Sequence, residues 1–94
     1  MDEPSDKLSA PAQRRRLLSK ANRIRANILV GRHGLTEAVV ANVRRALDKS
    51  DLLKVRVDVE RGAEADRIGA DLAREVPCEV IKRIGKVLIL YKKN

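Results

Sequence analysis

Leu35-Thr36-Glu37-Ala38-Val39-Val40-Ala41-Asn42-Val43-Arg44-Arg45-Ala46-Leu47 is the stretch whose reading decides the fold. Leu35, Ala38, Val39, Asn42, Val43, Ala46 and Leu47 recur at i, i+3, i+4, i+7, i+8, i+11 and i+12, one stripe of an amphipathic helix over residues 36–49. Before it, Asn27-Ile28-Leu29-Val30 is a short apolar run closed by Gly31, as suits a central strand. After it, Leu53, Val55, Val57 and Val59 alternate with Lys54, Arg56 and Asp58, the period-2 pattern of a strand with one solvated face. A helix between two such strands predicts a βαβ unit with a right-handed crossover.

Reading outward adds the remaining elements. Ala65, Ile68, Gly69, Leu72, Ala73 and Val76 predict a third helix that Pro77 stops. Cys78 to Ile84 and Lys86 to Tyr91 predict two strands on either side of Gly85, joined by a tight hairpin. Upstream, Ser9 can cap a helix that admits Pro11 in its first turn and runs through Ile24. Leu17, Ala21 and Ile24 form its buried stripe, with Leu18 beside it. The expected fold is α/β (α+β), ordered αβαβαββ: a four-stranded mixed sheet with three helices. The second and third helices share one face, and pattern alone does not place the first.

The composition bounds the function. Ninety-four residues make one domain. With 44% hydrophobic and 36% charged residues, the chain can build a core but offers no apolar window of membrane-spanning length. Cys78 is the only cysteine, so no intrachain disulfide forms and a reducing, cytoplasmic setting is expected. Residues 1–7 read as a disordered acidic tail and residues 8–94 as the folded domain. The net charge of +8 and pI near 10.3 favour a polyanionic partner. The charge is also segregated: residues 7–36 hold eight cations and no acid, and residues 80–94 hold five cations and no acid. Tyr91 is the only aromatic, which removes the stacking platforms of many RNA-binding sheets and points instead to contacts with the nucleic-acid backbone.

Two features resemble sites. Gly31-Arg32-His33-Gly34 lies between a strand and a helix start, where unpaired helix amides and Arg32 can hold an anion. A glycine-bounded turn serves conformation equally well, and both readings stand at this stage. The strand before it separates it from the KH fold, whose loop of this type joins two helices. Glu37 sits close by and would oppose an anion unless it points to solvent. Arg14, Arg15, Arg16, Lys20 and Arg23 crowd the first helix with no local acid to pair with them, as a phosphate-binding surface requires. His33 is the only histidine, which excludes a histidine metal cluster and leaves a Cys78–His33 nucleophile as a remote option. Asp58, Glu60, Glu64 and Asp66 are interleaved with Arg61 and Arg67 and read as solvated charge. No P-loop, GxGxxG or CxxC pair signals a cofactor or metal.

Together, Gln13-Arg14-Arg15, Val30-Gly31-Arg32-His33-Gly34-Leu35-Thr36-Glu37, Leu53-Lys54-Val55-Arg56-Val57 and Ile84-Gly85-Lys86-Val87-Leu88-Ile89-Leu90-Tyr91-Lys92 resemble the CRM domain. This chloroplast RNA splicing and ribosome maturation module also occurs as single-domain bacterial proteins of the YhbY type. The resemblance implies a fold similar to the C-terminal domain of the third bacterial translation initiation factor. It also implies RNA binding through the GxxG loop and adjoining basic surface, and association with precursors of the large ribosomal subunit. The chain departs from the pattern in three places. Arg32 replaces the common lysine and adds bidentate phosphate geometry. Leu8-Ser9 is displaced by one residue and Ala12 takes a lysine position. Asn22 to Asn27 lacks the usual histidine and later proline.

The leading expectation is therefore a non-enzymatic, monomeric RNA-binding protein without cofactor, metal, membrane or small-molecule substrate. Its partner would be ribosomal RNA of the large-subunit precursor. Its site would comprise Arg14, Arg15, Arg16, Lys20, Arg23, Gly31, Arg32, His33 and Gly34. The alternatives are a duplex-DNA or chromosome-architecture protein, and a module whose basic face docks an acidic protein.

Overall fold

The structure, a computed structural model, describes residues 11–92. The element order is α1 (Pro11–Ala21), β1 (Ile28–Val30), α2 (Glu37–Lys49), β2 (Leu52–Val57), α3 (Gly62–Glu75), β3 (Glu79–Ile84) and β4 (Val87–Tyr91). The expected acidic tail and the Ser9 cap lie outside the described residues. The strands form one sheet in the order β1-β2-β4-β3, with β1 parallel to β2 and β4 antiparallel to both its neighbours. Because β4 inserts between β2 and β3, those two run parallel, and α2 and α3 each serve as a crossover between parallel strands.

The alternation along β2 sorts the sheet into two faces. Leu53, Val55 and Val57 join Val30, Leu88 and Leu90 beneath Val43 and Leu47 of α2 and Ala65 and Leu72 of α3. Gly69 lets α3 settle against this face, since a Cβ there would lie 3.2 Å from Leu88 and 3.3 Å from Val80. On the opposite face, Leu52, Ile81 and Ile89 are buried with Ala21, and Leu17, Leu18, Ile24 and Tyr91 pack around them. This contact places α1, which periodicity could not. The stripe expected on α1 is correct, but the helix ends at Ala21: Asn22 and Arg23 form a turn, and Ile24 folds back on the same cluster.

Local chemistry sets the ends. Thr36 caps α2 by accepting from the Val39 N–H at 3.2 Å. Glu64 accepts from the amides of Glu60 at 3.2 Å and Arg61 at 3.0 Å, closing the start of α3. The hairpin turns through Gly85 and Lys86, and only Gly85 has a positive φ, 61°, the requirement of a type II′ turn. Cys78 precedes β3 instead of opening it, and its partial burial raises the thiol pKa. Lys92 donates to Asp48 at 2.8 Å, which holds that carboxyl below its ordinary value and ties the last strand to α2.

Docking of α1 has a measurable consequence. Ile89→Ala is expected to cost about 2–5 kcal/mol in urea unfolding, the range for a buried isoleucine. A cost below about 1 kcal/mol would mean that α1 does not cover this face in solution.

Candidate nucleic-acid interface

The loop after β1 is a single turn, in which the Gly34 N–H donates to the Gly31 carbonyl at 3.0 Å. Arg32 and His33 occupy its tip and are exposed. Gly34 has φ 78°, a region that side chains disfavour, so conformation alone explains this glycine. Gly31 is different: its φ is not positive, and a Cβ would meet nothing within 4 Å. The backbone does not require a glycine there. Glu37 is exposed at the start of α2, as expected. The acid paired with the loop is Asp58, whose Oδ2 lies 3.5 Å from Arg32 Nε, with the side chains 49% and 77% exposed, and Glu60 and Glu64 line the same shallow cleft. Such solvated pairs are worth about 0–1 kcal/mol, so a phosphate can displace Asp58 at little cost.

The cations of α1 divide into two groups. Arg14, Arg15 and Arg16 are exposed and make no side-chain hydrogen bond or ion pair with a described residue, and the same holds for Arg23 in the turn beyond the helix. Lys20 is not alone, as its local sequence suggests; its Nζ lies 3.4 Å from Asp51 Oδ1, supplied from the start of β2. Two carboxylates of the α3 region have structural partners. Glu64 closes the helix start, and Asp66 accepts from Arg83 Nε at 2.6 Å. His33 and Cys78 lie at opposite ends of the sheet, because His33 follows the Val30 end of β1 while Cys78 precedes the Glu79 end of β3, which pairs with Tyr91. They cannot act together as nucleophile and base. Among the described residues, no group of three possible ligands could hold a metal ion.

The two candidate clusters are separated rather than merged. Lys20 meets Asp51 just before β2, and Arg32 meets Asp58 just after it. At about 3.3 Å per residue, those anchors are roughly 20 Å apart. Lys54 and Arg56 lie between them, on the same sheet face as Leu52 and hence as α1. Sequence reasoning left these two out of the candidate site, although the alternation along β2 had already assigned them to its polar face.

The two glycines can be separated by experiment. Gly34→Ala is expected to lose about 1–2 kcal/mol of stability from its left-handed backbone. Gly31→Ala is expected to be neutral or to gain about 0.4–1 kcal/mol, checked by thermal melting of both variants.

Comparison with known proteins agrees with this architecture. A protein of Haemophilus influenzae named as an RNA-binding protein is 33% identical over 87 residues, covering 87% of this chain and 83% of its own length. A Pseudomonas aeruginosa protein named "Probable RNA-binding protein" is 27% identical over 82 residues, covering 87% and 79% respectively. A solution structure of a Staphylococcus aureus protein, 23% identical, shares the fold with a TM-score of 0.80 over 88% of this chain and 86% of that one. No described helix is long and apolar enough to cross a membrane. The CRS1/YhbY (CRM) domain model matches residues 10–92, from the start of α1 to the end of β4, and the chain belongs to that family.

Proposed function

We propose that this protein is a cytoplasmic, monomeric RNA-binding protein that holds RNA by its phosphate backbone without catalysing a reaction. Its RNA is ribosomal RNA of the large-subunit precursor. The observation that carries the reading is the state of its cations. On the α2 and α3 side cations and acids are interleaved and several pair, Arg44 with the Glu75 carbonyl, Arg74 with Asp71, Arg83 with Asp66 and Lys92 with Asp48, while Arg67 stands beside Asp66 in the chain. Arg14, Arg15, Arg16 and Arg23 have no such partner among the described residues and no acid anywhere in residues 7–36, and Arg32 shares a solvated pair with Asp58. Polyphosphate supplies the missing counter-charge. The RNA-binding names of the Haemophilus and Pseudomonas relatives point to the same ligand. Gly31 then has a task that the turn does not give it, since its bare backbone allows a phosphate to approach the loop closely.

RNA affinity is expected to fall with salt at a log–log slope of about −4 or steeper, the α1 cations and the loop alone supplying roughly five phosphate contacts at about −0.7 to −0.9 each. Replacing Arg14, Arg15 and Arg16 together with Ala is expected to flatten that slope by about 2 while leaving the melting temperature nearly unchanged, since alanine favours the helix. Replacing Arg32 with Ser and His33 with Ala removes a charged hydrogen bond worth about 1.5–3 kcal/mol and is expected to weaken binding about tenfold to a hundredfold. Titrations of both variants against structured RNA measure these effects, and a wild-type slope near zero would remove the backbone-binding model. Crosslinking in cells with sequencing of the attached RNA tests the precursor assignment, which fails if other RNAs dominate. Tighter binding to duplex DNA of equal length would replace RNA as the partner.

A further inference from the structure

Helix α1 covers only part of its sheet face. Its contacts gather around Leu52, Ile81 and Ile89, toward the end where β2 starts and β4 finishes. At the other end, Leu29 of β1 pairs with Arg56 of β2, Arg56 with Val87 of β4, and Val87 with Ile84 of β3. These four side chains therefore form a row straight across the sheet, about 14 Å long at about 4.8 Å per strand. Leu29 is 60% exposed and Ile84 50% exposed, the two large hydrophobic residues among the described ones that stand open to solvent. The next row inward, toward α1, sets Lys54 and Lys82 on either side of Ile89. No acid falls in either row.

We propose that this uncovered part of the sheet binds unpaired nucleotides of the RNA, with Leu29, Val87 and Ile84 against bases and riboses and Lys54, Arg56 and Lys82 against phosphates. The proposal rests on the RNA-binding reading above and adds the form of RNA that the protein selects. Charge complementarity favours this occupant, because an apolar row that includes Arg56, is flanked on its inner side by Lys54 and Lys82, and meets on its outer side only an acid already paired with Arg32, Asp58, fits a ligand that alternates apolar rings with anionic links. Continuity supports it as well. Lys54 and Arg56 lie along β2 between the Lys20–Asp51 pair and the Arg32–Asp58 pair, so the rows are continuous with both ends of that strand. A regular duplex keeps its bases stacked inside and presents mainly phosphate and sugar. It has nothing to give Leu29 and Ile84. The sheet thus discriminates by aliphatic contact where other RNA-binding sheets use aromatic stacking.

The test titrates the full chain and its Leu29→Thr/Ile84→Thr double variant with two RNAs of equal phosphate number, one unpaired and one a closed duplex. Threonine keeps the strand preference of both sites, and thermal melting confirms that the variant folds. If either pair position fails to tolerate threonine, Val87→Thr in the middle of the row takes its place. The double variant is expected to lose about tenfold in affinity for unpaired RNA, the scale of withdrawing apolar contact from two side chains. Its salt slope and its duplex affinity should stay at the wild-type values, because no ionic contact has been removed. Equal losses on both RNAs, or no loss on either, would overturn the sheet assignment while leaving the phosphate clamp intact. Failure of the wild-type chain to bind either RNA would instead remove the RNA-binding reading itself. A wild-type dimer that the double variant converts to monomer would assign the row to a second copy of the chain and overturn the proposal.

Discussion

The structure depends on burial of β4 from both sides. Leu88, Ile89 and Leu90 are consecutive, and their relative exposures are 0%, 1% and 0%. Successive strand residues point to opposite faces, so no single layer of helices can bury all three. Helices α2 and α3 account for Leu88 and Leu90, while Ile89 requires a cover on the other side. Helix α1 provides it with Ala21, Leu17 and Leu18, and the N-terminal segment thereby becomes part of the fold rather than an appended basic arm. Because the stripe on α1 is short, the cover is partial, and the open end of the sheet follows from the same constraint.

The positions of the charges follow from this layering. Among the described residues no charged one is buried, as expected where desolvation is not offset by a partner. The face that α1 contacts turns Lys20 toward Asp51 and leaves Arg14, Arg15 and Arg16 in solvent. The scaffold therefore carries exposed cations on a helix, a strand and a loop, and the length of β2 sets the distance between Lys20 and Arg32. A protein with a single aromatic residue has few ways to grip a base by stacking. Spaced cations on rigid elements, with aliphatic side chains between them, are the means its composition leaves.

Much of this was legible in the sequence because it rests on local pattern. The heptad-like return from Leu35 to Leu47, the alternation from Leu53 to Val57 and the stop at Pro77 each reflect one element burying one face, and the elements appear where those patterns place them. What was not legible depends on partners distant in sequence. Leu52 belongs to the second face, and nothing nearby announces its contact with Ala21; the pairing is visible only once β4 supplies Ile89 between them. The same limit applied to the candidate site. The acids that meet Lys20 and Arg32 are 31 and 26 positions away in the chain, so a survey of local spacing found those cations unopposed. Helix α1 ends before Ile24 because that residue must turn back onto the Leu52 cluster, a demand that its own periodicity does not contain.

The loop shows how one short motif can join two separate requirements. Gly34 answers to the backbone, since the turn that hands β1 over to α2 needs a positive φ at that position. Gly31 answers to nothing in the folded chain. The Arg32–Asp58 pair adds a further consequence for binding. Salt that screens an approaching phosphate also screens Asp58, so the contact made and the contact given up weaken together. In the proposed complex the loop's contribution to affinity would therefore be less sensitive to salt than that of Arg14, Arg15 and Arg16, which would give up no described partner on meeting RNA. On that model the helix would dominate binding at low ionic strength. As salt rises toward physiological values the balance would shift to the loop, whose guanidinium geometry and bare backbone do not depend on long-range attraction.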